Sequence, residues 1–342
     1  MSDWEVKAAA RTVAEYMCNI KQGEDVLIYA DTLVEDIVAD SIAEAFHSAG
    51  GTASLYRYET RSKTDVEPPR PLAEAMKQSD VIVELSWMYL IHTRALEAAL
   101  ESGARFACLT MITADILKRC IGPISYYSKV LEFGDKMSSI LASSSDMRIS
   151  TKAGTDLVCN IKGKLIDHAS KRIFGPSEQT YPGGQVSWYP APDSINGKMV
   201  LDGSMWPPEE IGLIHEPIEL TIEAGRVTAV RGGAQAQILE HWFEAFDNPH
   251  IYELAHISYG LNPGARLTGN ILEDERVFGC VEVGIGAQPP ALGIFQVDPA
   301  EAVNGHTDAI MLNPTVKLDG SVIEEDGVFQ HPELVEIIGT FR

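Results

Sequence analysis

The sequence is poor in cysteine, and its few cysteines are scattered. Among 342 residues there are five, with no Cys-x-x-Cys pair: Cys18, Cys108, Cys120, Cys159 and Cys280. Disulfide-stabilised secreted domains and thiolate zinc sites both require cysteines at close, regular spacing. We therefore expect neither, and predict that each cysteine is a small buried hydrophobic residue of a protein in a reducing compartment.

Positive charge and long apolar runs are also scarce. The chain has 27 Lys and Arg against 49 Asp and Glu, a formal net charge of -22. Nucleic acids and anionic membranes are bound by clustered basic residues, so we expect neither as a partner. No apolar run reaches the roughly 18 residues of a membrane span, and the charged N-terminus lacks the apolar core of a secretion signal. These absences predict a cytoplasmic location.

The first part of the chain alternates helical and strand-like patterns. Helix-period stretches at residues 4–19 and 33–49 are interspersed with the apolar runs DVLIYAD, TASLYRY, DVIVELS and RFACLTM. Such alternation is typical of βαβ units around a parallel sheet. The turn after the first strand, Ala30-Asp31-Thr32, has no glycine cluster to bind a phosphate. We predict a Rossmann-like α/β domain over residues 1–146, without a nucleotide motif.

From residue 147 onward the sequence pattern becomes typical of short strands. Glycine and proline are frequent, the apolar runs are short, and Ala224-Gly225 predicts a hairpin turn between two alternating strands. One helix is expected over residues 234–246. We predict an α+β domain over residues 147–342, and we expect it to bind a metal and carry the catalytic residues.

Three residues in this second part could bind one metal ion. His306 and Asp308 stand two residues apart, and on a strand such residues project from the same face. His256 lies in an apolar segment, where a buried imidazole needs a partner. Two histidines and one carboxylate form the triad of non-haem Fe(II) oxygenases. The His-x-Asp pattern alone equally fits a surface turn before a strand.

Glu282 lies in the strand-like segment Gly-Cys-Val-Glu-Val-Gly. Alternation places it on the same face as Cys280 and Gly284. Three interpretations stay open: a fourth metal ligand, a carboxylate that holds a ligand histidine, or an ordinary paired carboxylate.

Several phrases of the chain resemble the aminopeptidase T type of metallopeptidase and its non-peptidase relatives. The resemblance is specific from about residue 147 onward and looser before it; it is carried by STKAGTDL, GKMVLDGS, IELTIEAGRVTAVRGG, HISYGLNPGARLTGNILEDERVFG and NGHTDAIMLNPTVKLDG. The resemblance implies the metal-ligand positions of the peptidases, in which two Glu, two His and one Asp bind two metal ions. Here Gln185, His256 and Glu282 depart from that pattern, and only His306 and Asp308 match it.

The metal-site pattern is more similar to the 2,5-dihydroxypyridine 5,6-dioxygenase family, through AHISYGL and GHTD. That resemblance implies Fe(II) held by His256, His306 and Asp308, with Mn, Zn or Co as alternatives. It also implies that His92, which stands ahead of a predicted helix, contacts substrate or transfers protons. A histidine at a helix start without any role is the other interpretation of His92.

The favoured function is therefore a ring-cleaving dioxygenase that uses dioxygen and a small hydroxylated aromatic or N-heterocyclic substrate. We predict that Tyr181, Gln185, Trp188 and Tyr259 bind that substrate, although each aromatic side chain also fits a place in the core. The alternative is a metal-dependent hydrolase, either aminopeptidase-like or acting on an aromatic ring, with Glu282 as general base. A relative that binds metal without catalysis is a third hypothesis. By resemblance we expect a homo-oligomer.

Overall fold

The structure, a computed structural model, describes residues 3–168, 171–288, 293–295, 297–298 and 300–341. Its strands are β1 (Asp25–Asp31), β2 (Thr52–Tyr58), β3 (Val81–Glu84), β4 (Arg105–Cys108), β5 (Asp146–Ser150), β6 (Asp156–Asn160), β7 (Ile166–Asp167), β8 (Gln179–Thr180), β9 (Gln185–Trp188), β10 (Asn196–Leu201), β11 (Ser204–Trp206), β12 (Gly212–Leu213), β13 (Ile218–Glu223), β14 (Arg226–Arg231), β15 (Leu254–Gly260), β16 (Cys280–Gly286), β17 (His306–Met311), β18 (Thr315–Leu318), β19 (Ser321–Glu325) and β20 (Val328–Phe329).

The helices are α1 (Asp3–Arg11), α2 (Asp36–Ser48), α3 (Arg70–Lys77), α4 (Arg94–Glu101), α5 (Ala114–Ile116), α6 (Ile124–Ala142), α7 (Ala234–Glu244), α8 (Ile271–Asp274) and α9 (Pro332–Ile338). Two π-helical turns, Thr12–Met17 and Leu117–Ile121, continue α1 and α5. Short 3₁₀ turns lie at Pro192–Ser194 and Pro249–Tyr252.

The chain forms two compact units. Unit 1 comprises Met1–Leu131 and Ala169–Gly183, and unit 2 comprises Glu132–His168 and Gly184–Arg342. The predicted domains, 1–146 and 147–342, therefore do not coincide with these units. The reason lies in packing: Phe133, Met137 and Leu141 of α6 belong to the hydrophobic core of unit 2, whereas β8 pairs with β4 of unit 1. A boundary between independently folding domains stays a prediction.

Unit 1 contains a parallel five-stranded sheet in the order β2-β1-β3-β4-β8. Its central strands β3 and β4 are buried at every position, and β1 at all but its first. Parallel strands covered on both faces have such continuous apolar sequences. This sheet confirms the α/β class predicted for the first part of the chain.

Four carboxylates hold the segment between β3 and α4 in unit 1. Asp31 accepts hydrogen bonds from the backbone N–H groups of Trp87 (2.9 Å) and Met88 (3.3 Å). The other three carboxylates each accept one backbone N–H: Glu84 from Leu90 at 2.7 Å, Asp65 from His92 at 2.8 Å and Glu67 from Arg94 at 2.8 Å. The backbone on which His92 lies is therefore fixed by hydrogen bonds to acidic side chains.

Unit 2 contains two antiparallel sheets. The eight-stranded sheet has the order β14-β13-β10-β6-β5-β18-β19-β20, and the seven-stranded sheet has the order β12-β11-β17-β16-β15-β9-β7. Both contribute to one hydrophobic core, with Ile149, Leu157 and Leu220 from the first sheet and Ile257, Val283 and Ala309 from the second. The predicted strand-rich second part, including the β13–β14 hairpin at Ala224-Gly225, is confirmed.

The cysteines are buried, as predicted, and the described helices can be compared with the length of a membrane span. The five cysteines all lie within the described residues, are buried and form no disulfide. Among the described helices, none is both long and apolar enough to cross a membrane.

Replacing Asp31 by alanine should destabilise unit 1. The Asp31 side chain is fully buried and accepts N–H groups from Leu33, Trp87 and Met88, so its loss leaves three part-buried donors unpaired. We expect the free energy of unfolding in urea to fall by about 2 kcal/mol or more. Asp36→Ala, which removes a carboxylate that is 87% exposed, is the control and should change it by less than about 1 kcal/mol. Equal effects would contradict this role.

Glu84 should make the stability depend on pH. Burial raises the pKa of Glu84 to about 8 from the usual 4.5, so the folded state retains a proton that the unfolded chain loses. Its stabilising contribution is full below about pH 4.5 and is lost as the pH rises towards 8, at up to about 1.4 kcal/mol per pH unit. Glu84→Gln keeps an acceptor for the Leu90 N–H. The free energy of unfolding of this variant should not show this part of the decline with pH. Parallel pH profiles for the two proteins would refute the assignment.

Candidate metal centre

Three neighbouring strands of the seven-stranded sheet bring the predicted metal-binding residues together. His256 on β15 lies opposite Gly284 on β16, and Gly284 lies opposite Asp308 on β17. His306 is two residues before Asp308 and lies opposite Gly286. Since directly opposed residues project from the same side of a sheet, all three side chains share one face.

This face, called the site face below, is polar, while the opposite face of the same strands packs into the core. The register assigns to the site face Gln185, Ser187, Trp206, His256, Ser258, Glu282, Gly284, His306 and Asp308. Their neighbours in sequence are fully buried in the hydrophobic core, as Ile257, Val283 and Ala309 show.

Gly284 makes room for the His256 ring. A Cβ at position 284 would lie less than 3.0 Å from three ring atoms of His256, closer than non-bonded atoms approach. The ring therefore lies over the backbone of β16, in the space that any other residue would fill. A β-bulge between Leu254 and His256 shifts the β15 register by one residue just before the histidine, and such bulges redirect side chains.

The potential ligand atoms are close together. Each of the three residues offers one such atom, and these atoms all lie within 4.8 Å of one another. Nε2 of His306 lies 2.9 Å from Oδ1 of Asp308, and Nε2 of His256 lies 3.5 Å from the same oxygen. Nδ1 of His306 is 2.8 Å from the Ala287 carbonyl. Because that carbonyl can only accept, Nδ1 carries a proton, and Nε2 faces Asp308.

Glu282 borders this group and belongs to a longer hydrogen-bonded chain. Its Oε1 lies 3.1 Å from Nε2 of His256, and its Oε2 accepts a hydrogen bond of 3.5 Å from Nε2 of Gln185. Gln185 Oε1 in turn accepts one of 3.2 Å from Arg276, whose guanidinium also lies 3.1 Å from the Glu275 carboxylate. Glu282 is fully buried and Arg276 is 2% exposed.

Mutual proximity shifts the ionisation of these side chains. Burial lowers the pKa of His256, but the carboxylates of Glu282 and Asp308 outweigh it and raise that pKa to about 9. Burial raises the pKa of Glu282, which the positive charge of His256 partly opposes. Burial also raises the pKa of Asp308, yet the neighbouring His306 and His256 hold it below its usual value. Opposite charges are thus concentrated on one small polar surface.

The residues present fit a divalent cation. Imidazole nitrogens with carboxylate oxygens are the donors that Fe(II), Mn(II) and Zn(II) accept. Two structural features agree: the space above Gly284 that accommodates the His256 ring, and the buried Oε1 of Glu282, which accepts no hydrogen bond. A buried carboxylate oxygen without a donor is costly unless a cation compensates it.

Comparison with known proteins identifies the family of this chain. A sequence model of the 2,5-dihydroxypyridine 5,6-dioxygenase family (NicX) matches residues 7–331. The 2,5-dihydroxypyridine 5,6-dioxygenase of Pseudomonas putida KT2440 is 26% identical over 271 residues, covering 76% of this chain and 73% of that protein. The chain belongs to the 2,5-dihydroxypyridine 5,6-dioxygenase family. This membership confirms the predicted enzyme class, a ring-cleaving dioxygenase.

Solved structures show the same fold. The structure of the P. putida KT2440 dioxygenase has a TM-score of 0.77 at 18% identity, covering 98% of this chain and 99% of that one. Wild-type AmpT from Thermus thermophilus has a TM-score of 0.68 at 14% identity, covering 95% and 99%. The chain therefore shares its fold with both the dioxygenase and AmpT, the two types of protein that its sequence resembles.

Two predicted substrate contacts need correction. Trp188 and Tyr259 are fully buried, with ring centroids 5.1 Å apart, and belong to the core on the opposite side of the sheet from His256. Strand alternation is the reason: Trp188 pairs with Ile257 and Tyr259 with Val186, all of them core residues. Gln185 does lie on the site face. Tyr181 packs against the hydrophobic core of unit 1.

His92 belongs to unit 1. Its side chain is exposed, and it comes two residues before α4, as the sequence predicts. Its ring stands edge-on to Tyr89, with centroids 6.4 Å apart. A role for His92 in catalysis stays a prediction.

Three residues near the centre were missed by sequence reasoning. Arg276 and Glu275 lie in the phrase LEDERVFG, where paired charges in an apolar setting are the signal that could have found them. Trp206 lies opposite Asp308 on the site face and is partly exposed. Strand alternation over Ser204-Met205-Trp206 places Trp206 on the site face only once the partner strand is known.

Gly284→Ala should disrupt the centre and leave the fold intact. The added methyl group occupies the space of the His256 ring, so the imidazole must turn away from Asp308. We expect metal content, measured by elemental analysis after loading, to fall at least about tenfold, with little change in circular dichroism. Gly175→Ala, where the added Cβ meets atoms no closer than 3.7 Å, is the matched control. Full metal content in Gly284→Ala would contradict this account.

Proposed function

We propose that this chain is a mononuclear Fe(II)-dependent dioxygenase that opens the ring of a hydroxylated pyridine or a related hydroxylated aromatic compound. One observation carries the proposal: two imidazoles and one carboxylate converge on the site face within 4.8 Å, in a chain that belongs to a dioxygenase family. The named substrate of the P. putida relative, 2,5-dihydroxypyridine, is the first candidate substrate.

His256, His306 and Asp308 are the residues that would hold the metal. Bound Fe(II) would supply Lewis acidity and one-electron chemistry that side chains lack. The chain supplies the orientation. The Ala287 carbonyl directs Nε2 of His306 towards the site, and Gly284 allows the His256 ring to lie across β16. Partners that fix the orientation of a ligand raise the metal affinity of a site.

The substrate ring would lie against the site face. Trp206 offers a partly exposed aromatic surface on the strand next to Asp308, against which a flat ring can stack. The hydroxyls of Ser187 and Ser258 lie 2.7 Å apart, and Ser258 is opposite Glu282. The partly exposed Ser187 hydroxyl can therefore also bond a polar substituent of the ring.

The remaining predictions belong to this proposal. Fe(II) is preferred over Mn, Zn and Co because the triad is the one typical of Fe(II) oxygenases. His92 is proposed to transfer protons, since an imidazole can both accept and donate them near neutral pH. Assembly as a homo-oligomer and a cytoplasmic location are retained as predictions.

Oxygen uptake after anaerobic loading with Fe(II) tests the function. We expect about one iron per chain and substrate-dependent oxygen consumption with 2,5-dihydroxypyridine or a related phenol. His306→Ala should lose the bound iron, because it removes a ligand. Its rate of oxygen consumption should fall by at least about 100-fold. His241→Ala is the matched control: this histidine lies on α7, where its Nδ1 bonds the Gln237 carbonyl, and the variant should behave as wild type.

Three results would count against the proposal. The first is about two zinc or cobalt ions per chain together with aminopeptidase activity. The second is full iron content in His306→Ala. The third is turnover of a ring substrate without oxygen consumption, which would favour the hydrolase alternative.

A further inference from the structure

Glu282 is a buried carboxylate, and one of its two oxygens accepts no hydrogen bond. Its side chain is fully buried on the site face, and Oε1 accepts no hydrogen bond although Nε2 of His256 lies only 3.1 Å away. The two atoms therefore form a close ion pair in which Oε1 accepts no hydrogen bond. A nitrogen and an oxygen at this separation can also bind one cation between them.

The separations agree with a shared cation. Two ligand atoms, each about 2.1 Å from one ion and at a right angle, lie about 3.0 Å apart. His306 Nε2 and Asp308 Oδ1 are 2.9 Å apart, His256 Nε2 and Glu282 Oε1 are 3.1 Å apart, and His256 Nε2 and Asp308 Oδ1 are 3.5 Å apart. Oε1 of Glu282 is thus adjacent to one of the three donors, Nε2 of His256, at the edge of the three-residue group.

Gln185 and Arg276 hold this carboxylate in position. A guanidinium only donates hydrogen bonds, so Gln185 presents its carbonyl oxygen to Arg276 and its amide NH₂ to Oε2 of Glu282. Arg276 is itself anchored, 2.5 Å from the Leu272 carbonyl. One oxygen of Glu282 is therefore bonded to the protein, and the other is left directed at His256.

We propose that Glu282 is a fourth ligand of the metal, positioned by Gln185 and Arg276, so that the site is built from two histidines and two carboxylates. This inference rests on the proposed function. Of six positions around the ion, four are then occupied by the protein and two remain for substrate and dioxygen. The substrate class follows: a ring that binds through a single deprotonated hydroxyl, since chelation through two adjacent oxygens would leave no position for dioxygen.

Counting the water molecules on bound Mn(II) tests the proposal without any turnover. Mn(II) in the wild-type protein should hold two waters, measured by electron paramagnetic resonance in ¹⁷O-enriched water. Glu282→Ala should hold three, because water replaces the carboxylate. Glu324→Ala is the matched control: it removes another fully buried carboxyl whose oxygens have no hydrogen-bond partner, and it should hold two.

Affinity gives a second readout. Glu282→Gln keeps the size of the side chain and should weaken Mn(II) binding more than about 100-fold. Gln185→Leu should weaken it by roughly 10- to 100-fold, the effect usual for residues that position a ligand. If Glu282→Ala does not fold, the Glu282→Gln affinity decides, and a loss below about 100-fold, the range of a residue that only positions a ligand, overturns the proposal.

The outcomes separate this inference from the proposed function. Wild-type protein that binds neither Mn(II) nor Fe(II) at His256, His306 and Asp308 would remove the metal site itself. Wild-type protein that binds Mn(II) with three waters, or a Glu282→Ala variant with an unchanged water count, would overturn only the role of Glu282.

Discussion

The missing side chain at position 284 is the constraint on which the metal centre depends. His256 and Asp308 stand on strands that flank β16, and both lie opposite Gly284. A side chain there would separate them, whereas the glycine lets an imidazole cross the middle strand. The spacing between strands in a sheet is fixed, so side chains on the two outer strands can meet only where the middle strand has no side chain between them.

The same strands that carry the centre also carry the core of unit 2. Residues of β15, β16 and β17 alternate between the site face and a fully buried apolar face, so the donors are supported by close packing on the other side of the sheet. This close packing compensates for the electrostatic repulsion among the acidic side chains of the centre. Glu275, Glu282 and Asp308 are largely shielded from water and repel one another; Arg276 and the histidines offset part of that repulsion.

Much of the fold and the centre could be predicted from the chain. Alternation of apolar and polar residues indicated the parallel sheet, the hairpins and the shared face of His306 and Asp308, since these depend on neighbours in sequence. The aromatic residues show where this reasoning fails. Trp188 and Tyr259 carry the same chemistry as Trp206, yet only Trp206 lies on the site face. Which side an aromatic residue faces depends on strand register, which a single strand does not specify.

The sequence by itself determined the family, the strand-rich character of the second part and the residue types for a metal centre, because these reside in composition, periodicity and short phrases. Only the tertiary structure decided that His256 meets Asp308 across Gly284, and that Arg276 reaches Glu282 through Gln185. It also assigned the C-terminal part of α6, from Glu132, and strand β8 to the units opposite to those expected. These contacts join residues distant along the chain, and their geometry follows from strand pairing and packing, which no local pattern encodes.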